Sequence, residues 1–168
     1  MKPSRVLPAS WKPIASVMAP MPRPDYRRLR AALLAALLLP AATFAEPELC
    51  RVSFSSGAHL LLPVARTWQE QQDGLSGRLD AGPGLLFVWE EAAVRALWMK
   101  NTYIPLSAAF IDGEGRVLDI VDMTAASEDR HSSSAPVHAA IELAQGDFSR
   151  HGIKPGDIAT IHCAADKP

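Results

Sequence analysis

The stretch "LSAAFIDGEGRVLDIVDM", Leu106 to Met123, contains the clearest structural signal in the chain. Two apolar runs flank the turn-forming tetrad DGEG at residues 112–115. Apolar runs of this length around a turn rich in Gly and Asp predict a β-hairpin. Because a tight turn leaves no room for a helical crossover, the hairpin favours a sheet with antiparallel pairing.

The residues before the hairpin contain further strands and one helix. Residues 49–65 have the pattern of two strands around a turn at residues 55–57, and "LLFVWE" has that of a buried strand. Between them, Thr67 and Glu70 have the spacing of a capping box. This spacing predicts a short helix that ends near Gly74, a residue suited to a left-handed helix end.

The residues after the hairpin begin with a polar segment, Thr124 to Pro136, which we interpret as an exposed loop. "AAIEL" then predicts a strand, residues 146–152 a short helical turn, and "IATIHC" the last strand. Seven or eight short strands and one or two short helices predict an α+β fold. Its sheet would be mostly antiparallel, strongly bent and barrel-like.

Residues 1–45 differ in composition from the rest of the chain. They hold seven Lys or Arg against one acid, and they end in the apolar run "AALLAALLLP" followed by small residues. This order matches a secretory signal peptide, so we predict cleavage after Ala45 and a periplasmic or secreted protein. A membrane anchor fits less well, because a spanning helix needs about 20 apolar residues and Glu46 comes too soon. We therefore expect no stable membrane span after cleavage.

Two further features of the N-terminal region bear on processing. Leu49 stands before Cys50, where a lipid-attachment site would need a small residue, so a lipoprotein is disfavoured. The Pro-rich residues before Met18 fit neither a signal nor a domain. Translation from Met18 or Met21 instead of Met1 would account for them.

Residues 46–168 have the length of a single compact domain. They carry ten basic and seventeen acidic residues, a formal charge of about −7 with His neutral. An acidic domain repels phosphate backbones, whereas nucleic-acid-binding domains have a basic face. We therefore expect no nucleic-acid partner.

The two cysteines, Cys50 and Cys163, lie near the two ends of this domain. In an oxidising compartment such a pair commonly forms a disulfide, which here would close a loop of over a hundred residues. The alternative is two unpaired thiols in end strands. The pattern favours the bridge, and no CxxC or HxxxH spacing indicates a metal site instead.

A series of short motifs runs along residues 74–157. In order they are "GL" with Arg78, "GLLFVW", "WMKNT", "IPL", "FIDGEGRV", "IEL" with Gly146, and "GIKPGD". This ordered set resembles the family called domain of unknown function 192, and "WMKNT", residues 98–102, is its most specific element. The resemblance implies a small, often exported protein with a compact β-rich fold, and it implies no established activity.

The chain departs from the family pattern at two positions. The family usually has methionine after "GL" and aspartate after "IPL", whereas this chain has Ser76 and Ser107. The missing carboxylate weakens any mechanism that would use position 107 as a base or ligand. We assign no role to Ser107.

Lys100 and Asn101 interrupt an otherwise apolar run. If the segment is a strand, Trp98 and Lys100 share one face, and Met99 and Asn101 the other. On one interpretation Trp98 and Lys100 line a cleft for a carboxylate or sugar, while Asn101 and Thr102 fix the following loop. On the other, Trp98 and Met99 are core, Lys100 reaches past Trp98 to water, and Asn101 and Thr102 form a turn.

Glu142 is an acid between two apolar residues of "IEL". If both faces of its strand are covered, its carboxylate needs a partner, and Lys100 or Arg78 could supply one. Such a pair would be either a structural ion pair or part of a binding site. Arg78 could instead cap carbonyls at the end of the preceding helix.

Other recognisable chemistry is missing from the sequence. The five histidines, at positions 59, 131, 138, 151 and 162, are dispersed, and no pair has ligand spacing. No G-x-S-x-G elbow or phosphate-binding loop occurs. We expect no metal and no cofactor.

Together these features predict an exported binding or accessory module for a small ligand or protein of the cell envelope. The alternative is an enzyme that uses Glu142 as acid or base beside Lys100 on a cell-envelope sugar or peptide. A purely structural envelope protein is a third option, and it would have no concave polar pocket.

Overall fold

The computed structural model describes residues 47–164. The predicted signal peptide, its cleavage after Ala45 and the choice of start codon lie outside the described residues. Within them, the elements in chain order are β1 (Leu49–Phe54), β2 (His59–Ala65), α1 (Trp68–Asp73), β3 (Leu85–Ala93), β4 (Ala96–Leu97), β5 (Leu106–Ile111), β6 (Val117–Met123), β7 (His131–Ser132), β8 (Val137–Ala144), α2 (Asp147–Arg150) and β9 (Ala159–Cys163). None of these helices is long and apolar enough to cross a membrane.

Seven strands form one curled, half-barrel sheet in the order β6-β5-β8-β3-β2-β1-β9, while β4 and β7 form a separate two-stranded sheet. This architecture confirms the predicted α+β fold with a bent, mostly antiparallel sheet. The pairing of β2 with β3 is parallel, so the sheet is mixed. The reason is the connection at residues 66–84, which contains α1 and is long enough to return the chain to the same end of the sheet.

The predicted hairpin is β5 and β6, paired from Leu106 with Met123 to Ile111 with Val117. The Asp112 carboxylate holds the turn, because it accepts hydrogen bonds from the backbone amides of Glu114 and Arg116 at 2.9 and 2.8 Å. These bonds use local residues only. A hairpin of this kind can therefore be predicted from the sequence.

The tip of the hairpin meets the start of β9. The Ala159 amide donates to the Gly115 carbonyl at 2.7 Å, and Arg116 forms an isolated antiparallel bridge with Ile158. A side chain at Gly115 would collide with the Ala159 carbonyl oxygen. These contacts bring the two outer strands, β6 and β9, together at one point.

The capping box of α1 is present as predicted. The Glu70 amide donates to the Thr67 hydroxyl at 3.3 Å, and the Glu70 carboxylate accepts from the Thr67 amide at 2.9 Å. The helix ends at Asp73, and Gly74 follows with φ of 48°. The end of α1 is therefore fixed beside the sheet, where the candidate site forms.

Both faces of the central strands are covered by apolar side chains. One face carries a cluster that includes Leu86, Ala109 and Ile141, and the other carries one that includes Phe87 and Phe110. Glu142 lies on the second face, because it follows Ile141 in the same strand. The sheet therefore places a carboxyl group in a covered apolar layer.

The predicted Cys50–Cys163 disulfide is present. The two cysteines face each other in the β1–β9 pair, with a Cα–Cα distance of 4.0 Å. They are 113 residues apart in sequence. The bridge therefore links the first and last strands of the described fold.

Candidate functional site

The segment 98–102 is a turn, not a strand. β4 ends at Leu97, and the Thr102 amide donates to the Met99 carbonyl at 3.0 Å. Asn101 has the left-handed φ of 58°. The prediction that Lys100 and Asn101 lie on opposite faces of one strand is wrong, because the positive φ of Asn101 and the Thr102–Met99 hydrogen bond turn the chain after β4.

Met99 and Trp98 have different environments. Met99 is fully buried in the apolar cluster around Phe87, as the core interpretation expected. Trp98 is half-buried. The Lys100 Nζ atom lies 5.4 Å from the centre of the Trp98 ring, and the Arg130 guanidinium carbon lies 4.9 Å from it. Both cations therefore lie within cation–π distance of the Trp98 ring.

Asn101 contributes its backbone to the architecture of the site. Its carbonyl oxygen accepts hydrogen bonds from the Gly77 amide at 2.8 Å and from the Ser76 hydroxyl at 3.3 Å. The turn is thus attached to the loop that follows α1. Ser76, one of the two departures from the family pattern, makes one of these attachments.

Ser107, the other departure, is buried at the start of β5 and donates to the Asp122 carboxylate at 2.6 Å. This hydrogen bond is the first cause of a lowered pKa at Asp122, followed by one from Gln145. The carboxylate that the family pattern has at 107 is therefore replaced here by a hydroxyl facing a carboxylate on β6.

Glu142 is the buried acid of the site. It pairs with Leu85 on one side and Ala108 on the other, and it is 4% exposed. Within residues 47–164, no hydrogen bond or ion pair reaches its carboxyl group. Burial without a compensating partner raises the pKa of Glu142 to about 8.

A cleft opens onto Glu142 between α1 and the 98–102 turn. Trp98, Lys100 and Thr102 line it on one side, and residues 71–76 line it on the other. Its volume is about 30 Å³, which is room for one or two water molecules. The structure therefore brings four of the six predicted site residues to one concave surface.

The other two candidates lie elsewhere. Arg78 lines a separate depression with Glu70 and Asp73, and its side chain makes no hydrogen bond within the described part of the chain. It therefore does not cap α1. Asn101 is exposed and does not line the cleft. Neither Lys100 nor Arg78 forms the ion pair with Glu142 that the sequence suggested.

A second depression adjoins the cleft. We call it the tryptophan groove, defined by Trp68, Trp89, Arg95 and Arg130, and its volume is about 300 Å³. Sequence reasoning did not identify these residues. The available signal, Trp68 at the exposed first position of α1, was weak, because a single exposed apolar side chain is common on protein surfaces and does not by itself mark a site.

A further depression of about 480 Å³ is lined by Val88, Ile111, Ile161 and Cys163, among others. None of the six ligand-binding candidates lines it. The closest grouping of metal-ligand types within residues 47–164 is Glu48 with Cys50 and Cys163, and the disulfide leaves neither sulfur as a thiolate.

At neutral pH the Glu142 carboxyl group is largely protonated, because its pKa lies above 7. It can then donate a hydrogen bond to a ligand oxygen, or ionise when an ammonium group approaches. Lys100 at the rim supplies a positive charge. The site combines a buried proton donor, an aromatic surface and a cation.

Comparisons with known proteins identify relatives but no activity. The family model DUF192, described as "Uncharacterized ACR", matches residues 52–161. A solved structure of a proposed transcription regulator from Sinorhizobium meliloti 1021 is 32% identical with a TM-score of 0.62, covering 68% of this chain and 93% of its own. A protein of unknown function from Novosphingobium aromaticivorans is 28% identical with a TM-score of 0.60, covering 73% and 98%. No curated protein matches the chain.

Proposed function

The chain belongs to the DUF192 family, and starting from that uncharacterised family we propose that it is an exported module that binds a cell-envelope ligand at the Glu142 cleft. One observation carries the proposal. A carboxyl group without a partner lines a cleft beside Trp98 and Lys100. Burying a carboxyl group without a hydrogen-bond partner costs free energy, and apolar packing alone does not offset that cost. A ligand that bonds to Glu142 would recover part of that cost.

The size of the cleft limits what reaches Glu142. A space of about 30 Å³ accepts one functional group, such as a hydroxyl or an ammonium, but not a whole sugar or side chain. The rest of the ligand would lie over Trp98 and near Lys100. The proposal therefore concerns a ligand with a protruding polar group.

Export is supported by two features. The composition of residues 1–45 is that of a signal peptide, and disulfides persist mainly in oxidising compartments. We propose a periplasmic or secreted location on these grounds. The mass of exported protein tests it, with cleavage after Ala45 as the expected result.

The description of one relative as a proposed transcription regulator raises the question of DNA binding. The formal charge of about −7 on residues 46–168 argues against a nucleic-acid partner for this chain. A filter-binding measurement with duplex DNA at low salt checks this, and we expect no retention. Salt-sensitive retention would contradict the expectation.

Binding is tested by titrating the full chain with soluble disaccharide-peptide fragments of digested peptidoglycan. We expect saturable binding that Glu142→Gln and Lys100→Ala each weaken by about tenfold. The amide of Gln is a weaker donor than a carboxylic acid and cannot ionise toward an ammonium group, and Lys100→Ala removes a cation. Lys154→Ala and Glu114→Gln, both exposed and outside the cleft, serve as matched controls. Unaltered affinity in both cleft variants would remove these residues from the site.

A second function is favoured by the pKa of Glu142. A carboxyl group with a pKa of about 8 is protonated at neutral pH and suits a general acid. Glu142 and Lys100 also line one cleft, as an enzyme would require. Release of reducing ends or free amines from the same fragments, abolished by Glu142→Gln, would identify an enzyme. Binding without turnover would favour the binding module.

A further inference from the structure

The tryptophan groove has a charge opposite to that of the domain around it. Residues 46–168 carry seventeen acids against ten bases. No acidic residue is among those that line the groove, while Arg95 and Arg130 are. A positively charged depression in an acidic domain selects for an anionic group.

Arg95 has a buried nitrogen without a partner. One terminal nitrogen donates to the Glu91 carbonyl at 2.9 Å, and the guanidinium carbon lies 5.0 Å from the centre of the Trp89 ring. The Nε atom is buried and makes no hydrogen bond. The second terminal nitrogen makes no hydrogen bond within residues 47–164 either, so it can donate to an acceptor that enters the groove. A carboxylate suits the fork of a guanidinium best.

Trp68 gives the groove a flat apolar wall, whereas the ring of Trp89 is stacked with Phe87 and lies under Arg95. Trp68 is 72% exposed, and Trp89 is half-buried. An indole face in contact with water is stabilised by covering it with an equally flat apolar surface. A sugar ring offers such a surface on its C–H face and places hydroxyl groups at its edge, where the exposed amide of Gln72 can bond them.

The groove and the Glu142 cleft are adjacent and share part of their walls. Gln71, Gln72, Phe87 and Leu97 line both. The groove volume of about 300 Å³ lies at the lower end of the range for small-molecule sites. One ligand of a few sugar units could therefore place a ring on Trp68 and a hydroxyl group in the cleft.

We propose that the tryptophan groove binds an acidic saccharide, a sugar whose carboxylate pairs with Arg95 and Arg130 while its ring covers Trp68. This deepens the proposed function and rests on it, because it names the ligand class of the adjoining cleft. An acidic peptide offers the same carboxylate but no rigid ring for Trp68. The exposed indole face of Trp68 thus favours the saccharide.

Titration calorimetry on the full chain with trigalacturonate, a short carboxylated saccharide, tests this inference. We expect saturable binding that weakens as salt rises, and at least about tenfold weaker binding of neutral cellotriose and of the tripeptide Glu-Glu-Glu. Tighter binding of the tripeptide, or equal binding of cellotriose, would overturn the acidic saccharide. So would no binding of trigalacturonate.

Variants assign the binding to the groove. Trp68→Ala and Arg130→Gln should each weaken trigalacturonate binding by about tenfold, and since both side chains are exposed, neither change threatens the fold. Tyr103→Ala and Arg51→Gln, an exposed aromatic and an exposed arginine outside the groove, should leave it unchanged.

The failure of this inference is distinct from the failure of the proposed function. Suppose that Glu142→Gln weakens trigalacturonate binding while Trp68→Ala and Arg130→Gln do not. The saccharide then does not bind in the tryptophan groove, and the proposed ligand site at Glu142 is retained. If the groove variants weaken it and Glu142→Gln does not, the groove stands and the role of Glu142 is withdrawn.

Discussion

At the scale of single residues, Glu142 has the most unusual environment of the described chain. Its position between apolar residues was visible in the sequence, and so was the need for a partner if its strand were covered on both faces. The sequence could not show that no partner arrives. That depends on how residues 74–78 and 98–102 fold over β8, and local pattern does not encode such non-local packing. Lys100 instead stacks near Trp98.

The pKa of Glu142 predicts how stability depends on pH. The group has an ordinary value of 4.5 and a native value of about 8. Between these values the unfolded chain releases a proton that the native state keeps, so stability falls as pH rises through this window. Relative to Glu142→Gln, we expect the free energy of unfolding of the wild type to fall by on the order of a few kcal/mol between pH 4.5 and 8. Urea unfolding across this range measures the difference.

Glu70 provides a control of opposite sign. Hydrogen bonds from the Thr67 and Arg66 amides lower the pKa of this carboxylate, so its contribution is present above 4.5 and is lost as pH falls through the native value. Glu70→Gln should therefore destabilise the protein at neutral pH and less so in acid. If the free energy of unfolding changed with pH in the same way for the wild type and Glu142→Gln, the raised pKa of Glu142 would be contradicted.

At the scale of secondary-structure elements, features formed by residues close in sequence were predicted correctly, and features that depend on distant residues were not. The β5–β6 hairpin and the α1 capping box are built from residues close in sequence, and both are confirmed. The parallel β2–β3 pair depends on the path of a long connection, which no short motif specifies. The segment after β4 bonds through the Met99 amide to the Ser127 carbonyl, 28 residues away, and no local pattern specifies this contact. The strand alternation was therefore extended too far along the sequence.

The turn at Met99–Thr102 can be tested at Asn101. With φ of 58°, this position suits Asn or Gly and strains a β-branched residue. We expect Asn101→Val to lower the free energy of unfolding by about 1–2 kcal/mol and Asn101→Gly to change it by less than about 0.5 kcal/mol. Chemical denaturation measures both.

Tyr103→Val is the matched control, since Tyr103 is exposed and has no positive φ. It should leave stability near that of the wild type. If Asn101→Val were as neutral as Tyr103→Val, the left-handed turn would be wrong, and the strand interpretation of residues 98–102 would return.

At the scale of the whole molecule, one covalent bond joins the first and last strands of the described fold. The sequence predicted this bridge from the number and placement of its two cysteines, without geometric information. The strand order was not predictable in the same way. It requires knowing that β8 lies between β5 and β3, which are far from it in sequence, and only tertiary packing determines that.

The Cys50–Cys163 bridge predicts a loss of stability on its removal. Closing a loop of 113 residues restricts the unfolded chain, and chain-entropy models assign about 4–5 kcal/mol to such a closure. We expect Cys50→Ala with Cys163→Ala to lower the free energy of unfolding by a comparable amount. Dithiothreitol should destabilise the wild type similarly and leave the double variant unaffected. A reductant-insensitive wild type would contradict the bridge.

The pairing of β1 with β9 also sets an order of events during synthesis. Until Ala159–Cys163 has emerged from the ribosome, β1 has no neighbour on its outer side and Cys50 has no partner. An exposed strand edge of this kind has unpaired backbone amides and carbonyls, so it can pair with a wrong strand or with another chain. The sheet is complete only when β9 is available. This late completion is consistent with the export that we propose, because a translocated polypeptide must stay unfolded until it has crossed the membrane.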